Sequence, residues 1–529
     1  MPTPAPASWS AFAAPRYWPT WFGIAALCLC AWLPFRLRMR AGALLGLATY
    51  IVGRERRYIT AVNIALCFPE LDTAAQRALV RQCFIDNGIG LIETATGWVR
   101  PAGHFQHQLT MRGTEHLDAA LATGRGVLML GAHYSTLDFG ANLLAATYPF
   151  AVTYRPHRNP LFDAFMLRGR LSNCNGVFDR SDIRGMFRHL KQNKILWYAP
   201  DQDYGPDGAV YVPLFGQRAA TLTAASRFAG FNDSPVVFVR QHRDSGRKRY
   251  TLEFTSLSPP LPSGDDVYDA TTINLALEQA IRQEPSQYLW MHKRFKTQPG
   301  GKPESPYIFI KTPTRKLSET QYAGMLAGAT PHAASGATQL TSGLVLREFA
   351  GLPGQLRAQR HPAMRLDLRS KELRGCGIRT VTVDNIFRVP ARGLTAVTCF
   401  MPPGAIVQPG ALTVLAGTML LARMHDNGFH FITAAPLIIA GDDGVPALAD
   451  PLQVARVPGS VSYRQRLRDL HVWAQLMQGS AATLPVLLDN YVPLVRAADS
   501  AGFTAWLAAR TPGPDNAVRR NEPVGRAHT

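Results

Sequence analysis

The chain is short of the residues that most often announce a chemistry on sight. Its seven cysteines, at 28, 30, 67, 83, 174, 376 and 399, contain no C-x-x-C pair, which excludes a zinc ribbon or a thioredoxin-like redox motif. An odd, scattered set fits a reducing compartment better than a disulfide framework. No H-E-x-x-H occurs and no second histidine stands at helical spacing from His133, so no metal is expected. No G-x-S-x-G elbow is present either, which argues against a serine nucleophile. Zinc-finger, RNP and basic-zipper patterns are missing, and nucleic acid is not an expected partner. Acids are scarce: 37 Asp and Glu face 56 Lys and Arg, for a net charge of +19. The excess of base runs through the first 310 residues and the remainder alike. Such a surface favours acidic partners, whether anionic lipid headgroups, phosphorylated substrates or an acidic carrier protein.

What is there is an ordinary globular composition, 47% hydrophobic and 18% charged over 529 residues, enough for two to four domains. Residues 18–35, WPTWFGIAALCLCAWLPF, are uncharged and largely apolar, and Arg36, Arg38, Arg40, Arg54, Arg56 and Arg57 follow around a second apolar piece. A run of eighteen is about the minimum for crossing a bilayer. The charge follows the run instead of preceding it, so a cleaved signal peptide fits poorly. Residues 1–57 are therefore expected to form a membrane anchor or embedded hairpin with its basic flank, the bulk of the chain lying on the cytoplasmic face. A buried pair of core helices is the alternative.

Beyond residue 74, AAQRALVRQCFIDNGIGLIETATGW has helical periodicity. GVLMLGAH, FAVTYRP, KILWYAPDQD, SPVVFVRQHR and YTLEFTSL then read as strands, with LDFGANLLAAT, NPLFDAFMLRGRL, DIRGMFRHLKQN and TLTAASRFAG between them as helices. Alternation of this kind predicts an α/β domain over 58–306, a mostly parallel sheet flanked by helices. KTQPGGKPESPY marks its end.

In such sheets ligands gather at the carboxyl ends of strands. Three polar clusters fall there: His133 with Asp138, Arg155 with His157, and Asp201 with Asp203. A histidine beside a carboxylate is the minimal equipment for activating a hydroxyl, the imidazole taking the proton and the carboxylate fixing its tautomer. The plainer alternative is a strand-end histidine that caps a helix or satisfies a carbonyl. Arg155 and His157 suit contact with a phosphate or acyl ester, since arginine clamps phosphate oxygens bidentately.

Several separated blocks decide between these readings: RYWPTW at 16–21, NIALCFPEL at 63–71, GRGVLMLGAHYSTLD at 124–138, TYRPHRNPLFD at 153–163, DRSDIRGM at 179–186, WYAPDQDYGPDGAVYVPLFG at 197–216 and QYLWMHKRFKTQP at 287–299. In this order they resemble the late acyltransferases of lipid A biosynthesis, over residues 15–310. The resemblance implies an inner-membrane enzyme with a glycerolipid acyltransferase-like domain on the cytoplasmic face. Acyl carrier protein is the implied donor, and a hydroxyl on a lipid A precursor the acceptor, with no cofactor. It assigns His133 as base and Asp138 as its partner, where relatives more often carry glutamate. It places Arg170 near the active site, and Asp201 and Asp203 in a D-x-D-Y-G substrate block. Arg294, in the KRFK run, becomes a candidate for headgroup phosphate or the carrier's acidic helix. Another membrane glycolipid or aminolipid acceptor remains an alternative, as does a non-catalytic lipopolysaccharide-binding or regulatory protein.

The resemblance stops near Pro306. Residues 316–510 read as α+β, and pieces of them resemble a degenerate lipopolysaccharide-kinase-like domain. Arg347 stands where such kinases hold ATP with lysine, and Asp450 is the one candidate for a retained metal ligand. The loop ITAAPLIIAGDDG lacks the catalytic residues such kinases need. The tail, 511–529, is expected to be disordered.

Overall fold

A computed structural model describes residues 6–309, 312–332, 337–352, 361–403, 405–407, 413–433, 438–440, 445–457, 461–476, 484–495 and 497–508; the tail expected to be disordered lies outside them. The chain divides into two compact units, Met1–Tyr307 and Ile308–Thr529.

The first unit opens with four helices: α1 (Trp18–Ala31), α2 (Phe35–Val52), α3 (Arg54–Cys67) and α4 (Thr73–Val99). The expected anchor or embedded hairpin meets a break in its apolar run. The apolar run stops being helical at Trp32–Pro34, which leaves α1 at 14 residues, about 21 Å at 1.5 Å per residue. That falls short of the roughly 30 Å of a bilayer's hydrocarbon core. Among the described residues no helix is long and apolar enough to cross a membrane. The second apolar piece is committed to packing instead. A Cβ at Gly46 would come 2.3 Å from the Phe84 carbonyl oxygen, and one at Gly88 2.3 Å from the Gly46 nitrogen, so α2 and α4 touch backbone to backbone. Arg38, on α2, is buried among the rings of Phe35, Phe105 and Phe139, with its guanidinium 5.2–5.8 Å from their centroids.

The sheet follows: β1 (Leu109–Arg112), α5 (Thr114–Ala122), β2 (Val127–Leu130), α6 (Leu137–Ala145), β3 (Phe150–Tyr154), α7 (Pro160–Asn173), β4 (Gly176–Asp179), α8 (Ile183–Lys191) and β5 (Ile195–Tyr198). A hairpin, β6 (Ala209–Leu214) and β7 (Gln217–Leu222), leads to α9 (Ala224–Phe231), β8 (Val236–Asp244), β9 (Arg249–Ser256) and α10 (Asp266–Gln283). The strand order is β1-β9-β8-β2-β5-β3-β4. Every neighbouring pair is parallel except β8 with β9, an α/β arrangement with a mostly parallel core.

That order fixes which helices share a face. From β2 through α6 to β3, and through α7 to β4, the chain moves one way across the sheet. From β4 through α8 to β5, and through α9 to β8, it moves back. Parallel crossovers are right-handed, so α6 and α7 cover one face and α8 and α9 the other. The N-terminal helices sit on the α6–α7 side: Ile24 of α1 packs with Leu161 and Ala164 of α7, and Asn142 of α6 donates to the Gly97 carbonyl of α4 at 2.9 Å. Glu93 of α4 is fully buried and takes the Arg243 guanidinium of β8 at 2.7 Å, a pair whose breakage costs about 3–5 kcal/mol because one charge would be stranded.

The second unit is α+β. Its six-stranded sheet includes Val345–Ala350, Thr382–Val389 and Leu394–Phe400. The helices Val414–Asp426, Tyr463–Leu476 and Leu484–Tyr491 gather around a core with Leu421, Trp473 and Tyr491.

Candidate active site

His133 stands three residues beyond β2, before α6 begins, and its segment is pinned from the far side. The Leu289 amide donates to the His133 carbonyl at 2.9 Å, and the Ser135 amide to the Gln287 carbonyl at 2.7 Å. Asn63 of α3 braces that strap, donating to the carbonyls of Trp290 and His292 at 2.7 and 2.8 Å. The NIALCFPEL and QYLWMHKRFKTQP blocks thus meet behind the histidine.

The carboxylate on the histidine is Asp201, not Asp138. Asp201 Oδ1 lies 2.7 Å from His133 Nδ1, and Oδ2 accepts the His133 amide at 2.9 Å. Asp201 comes from the loop after β5, the strand hydrogen-bonded beside β2, so the pairing crosses two strand ends that are far apart in sequence. Asp138 instead lies in the first turn of α6 and clamps Arg170 of α7, with Oδ1 to Nε at 2.9 Å and Oδ2 to Nη2 at 3.3 Å. The Trp98 indole donates to the same carboxylate at 3.3 Å.

Electrostatics follow the geometry. Burial pushes the His133 imidazole towards neutrality, but the charge and hydrogen bond of Asp201 outweigh it and raise its pKa above the usual 6.5. Burial alone would raise Asp201, and the imidazole holds it below the ordinary carboxylate range. His133 is 25% exposed and Asp201 only 1%, so solvent or substrate reaches the imidazole but not the group behind it.

His133 opens on a cavity of about 1010 Å³. Under α6 and α7 its walls include Met129, Leu144, Phe150, Val152, Met166 and Leu252. On the other side of the sheet's edge Met186 of α8 and Phe228 of α9 contribute. Its solvent-exposed lining marks the mouth, with Arg56, Arg155, His157, Arg158, Arg180 and Tyr204. Phe150 lies four residues below Tyr154, about 13 Å at strand rise, so the apolar lobe is a slot of some depth and not a surface dent. Gln241, only 8% exposed, is a polar intrusion into this lining. Its amide nitrogen meets no acceptor among the described residues. Gly140 makes room for it, since a Cβ there would approach Gln241 Oε1 to 2.3 Å.

The cavity gathers His133, Asp138, Arg155, His157 and Arg170. Asp201 stands behind His133, outside the cavity lining. Two other expected substrate contacts lie elsewhere. Asp203 is buried and spends its oxygens on the Thr297 amide and hydroxyl, at 2.8 and 2.7 Å, and on the Gly205 amide at 3.0 Å. It ties the D-x-D-Y-G loop to the strap after α10. Arg294 is buried too, donating to the Ala220 carbonyl and the Thr221 hydroxyl at 2.8 and 3.0 Å. His292 accepts the Asp203 amide at 3.0 Å, and burial lowers its pKa to about 4, which keeps it neutral. Arg56, which the sequence offers only as part of the basic flank, and Arg158, Arg180, Tyr204 and Gln241 join the lining without having been expected there. Arg158 and Arg180 lay inside quoted blocks and were legible as cations, whereas Gln241 carries no pattern at all.

A partly exposed histidine backed by a buried carboxylate can take a proton from a hydroxyl, and the slot beside it is lined to hold an apolar chain. Comparison with known proteins makes the class specific. The model of the bacterial lipid A biosynthesis acyltransferase family matches residues 6–297, and the chain belongs to that family. It is 38% identical to the lipid A biosynthesis lauroyltransferase of Escherichia coli K12 over 293 residues, 55% of this chain and 95% of that protein. It is 33% identical to the palmitoleoyltransferase of the same strain, over 56% and 97% of the two chains, and 28% identical to its myristoyltransferase, over 55% and 90%. The protein is an acyltransferase.

The family match ends at residue 297, short of the second unit, and the kinase-like reading of 316–510 finds no support in the comparisons. The two residues on which that reading leaned are occupied with each other: Arg347 and Asp450 form a bidentate pair at 2.8 and 3.0 Å. Positions 434–437 and 441–444 of the loop ITAAPLIIAGDDG lie outside the described residues.

Proposed function

We propose that the chain transfers a fatty acyl group from an acyl carrier protein thioester to a hydroxyl of a lipid A precursor, at the cytoplasmic face of the inner membrane. The observation that carries this reading is His133, backed by Asp201, opening on a slot that is apolar within and basic at its mouth. With Nδ1 held by Asp201, Nε2 is left to take the proton of the acceptor hydroxyl as its oxygen attacks the thioester carbonyl. The tetrahedral adduct collapses to the ester, and the departing thiolate recovers the proton from the imidazolium. Gln241 offers the carbonyl oxygen a hydrogen-bond donor that has no other use. Arg155, Arg158 and Arg180 suit the acceptor's phosphates, and the Asp138 clamp keeps Arg170 turned into the cavity. Lipid A mass spectrometry of a deletion strain tests the reading, with loss of one secondary acyl chain as the expected result. Intact lipid A, with a changed ornithine lipid or another membrane lipid, would overturn the acceptor assignment.

Attachment to the membrane is proposed to be in-plane. Phe22, Leu29, Trp32, Leu44, Ile51 and Val52 are 65–77% exposed on α1, on α2 and at the turn joining them, an apolar surface that an interfacial hairpin would bury at about 2 kcal/mol per large side chain. Replacing Phe22, Leu29, Leu44 and Ile51 together with serine is expected to move the protein into the soluble fraction in 1 M salt, whereas the unaltered protein stays with membranes. If salt alone released the unaltered protein, charge and not the hairpin would be holding it.

A further inference from the structure

The outer surface of α8 and α9 carries a cluster of cations. Arg184, Arg188, Lys191 and Arg227 are all exposed, and no ion pair joins any of them to a carboxylate among the described residues. Of the acids beside the two helices, Asp182 accepts the Gly185 amide as an N-cap at 3.1 Å, and Asp233, exposed two residues past Phe231, forms no ion pair with these cations among the described residues. Between the cations lies an apolar centre. Phe187 and Phe231 stack with centroids 3.6 Å apart and 10° between planes, the Lys191 ammonium sits 5.0 Å from the Phe231 centroid, and Ile183 is 40% exposed. The inner side of the same helices supplies Met186 and Phe228 to the cavity, and Arg180, just before α8, stands at its mouth. An exposed aromatic pair among unpaired cations suits an acidic partner.

We infer that this face docks the acidic acyl-donor protein, and that the donor's thioester arm enters past Arg180 on the α8–α9 side while the acyl chain passes His133 into the slot under α6. The inference rests on the acyl-transfer reading above. A bilayer is the competing occupant, and the sheet's topology disfavours it. The exposed apolar surface of α1 and α2 belongs to the α6–α7 face, and α8 and α9 cover the opposite one, so a membrane that takes the hairpin leaves this patch facing the aqueous side.

The test uses the purified full-length protein, a lipid A precursor and two donors, lauroyl-loaded acyl carrier protein and the lauroyl thioester of free pantetheine. For the double variant R184E/R188E, KM for the carrier-borne donor is expected to rise about tenfold or more and to lose most of its salt dependence. Transfer from the pantetheine thioester should stay within about twofold of the unaltered protein, which also shows that the variant is folded. A milder pair, R184Q/R188Q, should fall between. An unchanged KM for the carrier donor overturns the docking surface, as does equal loss with both donors. So does loss of binding to anionic vesicles with carrier kinetics intact, which would give the patch to the bilayer. If the unaltered protein transferred from neither donor, the acyl-transfer reading itself would fall, and the docking proposal with it.

Discussion

His133→Ala is expected to lower acyl transfer by about 10²–10⁴-fold, the loss typical of a missing general base, while the variant unfolds at a temperature close to that of the unaltered protein. Asp201→Asn should be comparably damaging, because the asparagine cannot hold the imidazole tautomer or stabilise the imidazolium. The two can be told apart by pH. The folded-state pKa of His133 is raised above 6.5 because the effect of Asp201 exceeds that of burial. The base is neutral, and active, only above that raised value, so the rate of the unaltered protein should fall as pH drops through a point above 6.5. Without the Asp201 charge, burial prevails and the imidazole pKa drops. The acid limb of Asp201→Asn should therefore move to lower pH while its plateau falls. A limb that stayed in place would show that Asp201 does not act through His133. Asp138→Asn acts by another route, by slackening the grip on Arg170, and is expected to raise KM for the acceptor more than it lowers the plateau rate. If instead Asp138→Asn moved the acid limb and Asp201→Asn did not, the roles drawn from the geometry would be reversed.

The second large effect concerns the length of the acyl chain. Leu144 lies at the far end of α6 and Phe150 at the far end of β3, both on the wall of the slot and remote from its mouth. Each methylene of a bound chain contributes about 0.8 kcal/mol, or about fourfold in kcat/KM. Leu144→Trp should shorten the slot and penalise the unaltered protein's preferred donor by about fourfold for every methylene that no longer fits, with shorter donors spared. Phe150→Ala should open the floor and shift preference to longer donors, at a stability cost of about 3–5 kcal/mol for the cavity left when no chain fills it. Competition between carrier-bound donors of graded length, read by product mass, measures both. Parallel losses at every length would mean that the chain lies elsewhere.

How much of this was legible in advance differs from element to element. Each of the five expected strands of the first unit overlaps an observed one, because a strand buried on both faces is written as a continuous apolar run such as VLML or FAVTY. The strand Gly176–Asp179 escaped notice since it is four residues long at the sheet's edge, next to a glycine. The hairpin of β6 and β7 was missed because its alternation is interrupted by Pro213 and the Phe215–Gly216 turn. The expected anchor or embedded hairpin over residues 1–57 meets no spanning helix among the described residues. An uncharged run of eighteen says nothing of where its helix stops: α1 ends at Ala31, Trp32–Pro34 is not helical, and the glycines that pack on α4 belong to the next helix, Phe35–Val52.

The sequence by itself determined the α/β class, the placing of polar clusters at strand ends, the basic character of the surface and, through its quoted blocks, the acyltransferase family. Those properties are local: they depend on the apolar pattern along one segment and on residue types at fixed spacing. Only the tertiary structure decided which carboxylate serves His133. Asp138 is five residues away along the chain, but the start of α6 turns it towards Arg170. Asp201 is 68 residues away, yet β5 lies hydrogen-bonded beside β2 and brings it to 2.7 Å. The same holds for Asp203 and Arg294, whose charges the sequence offers to a substrate and whose burial commits them to the backbone and hydroxyls around them. A charge in a motif becomes a site or a brace according to what the fold packs against it, and strand order, which no single segment encodes, settles that.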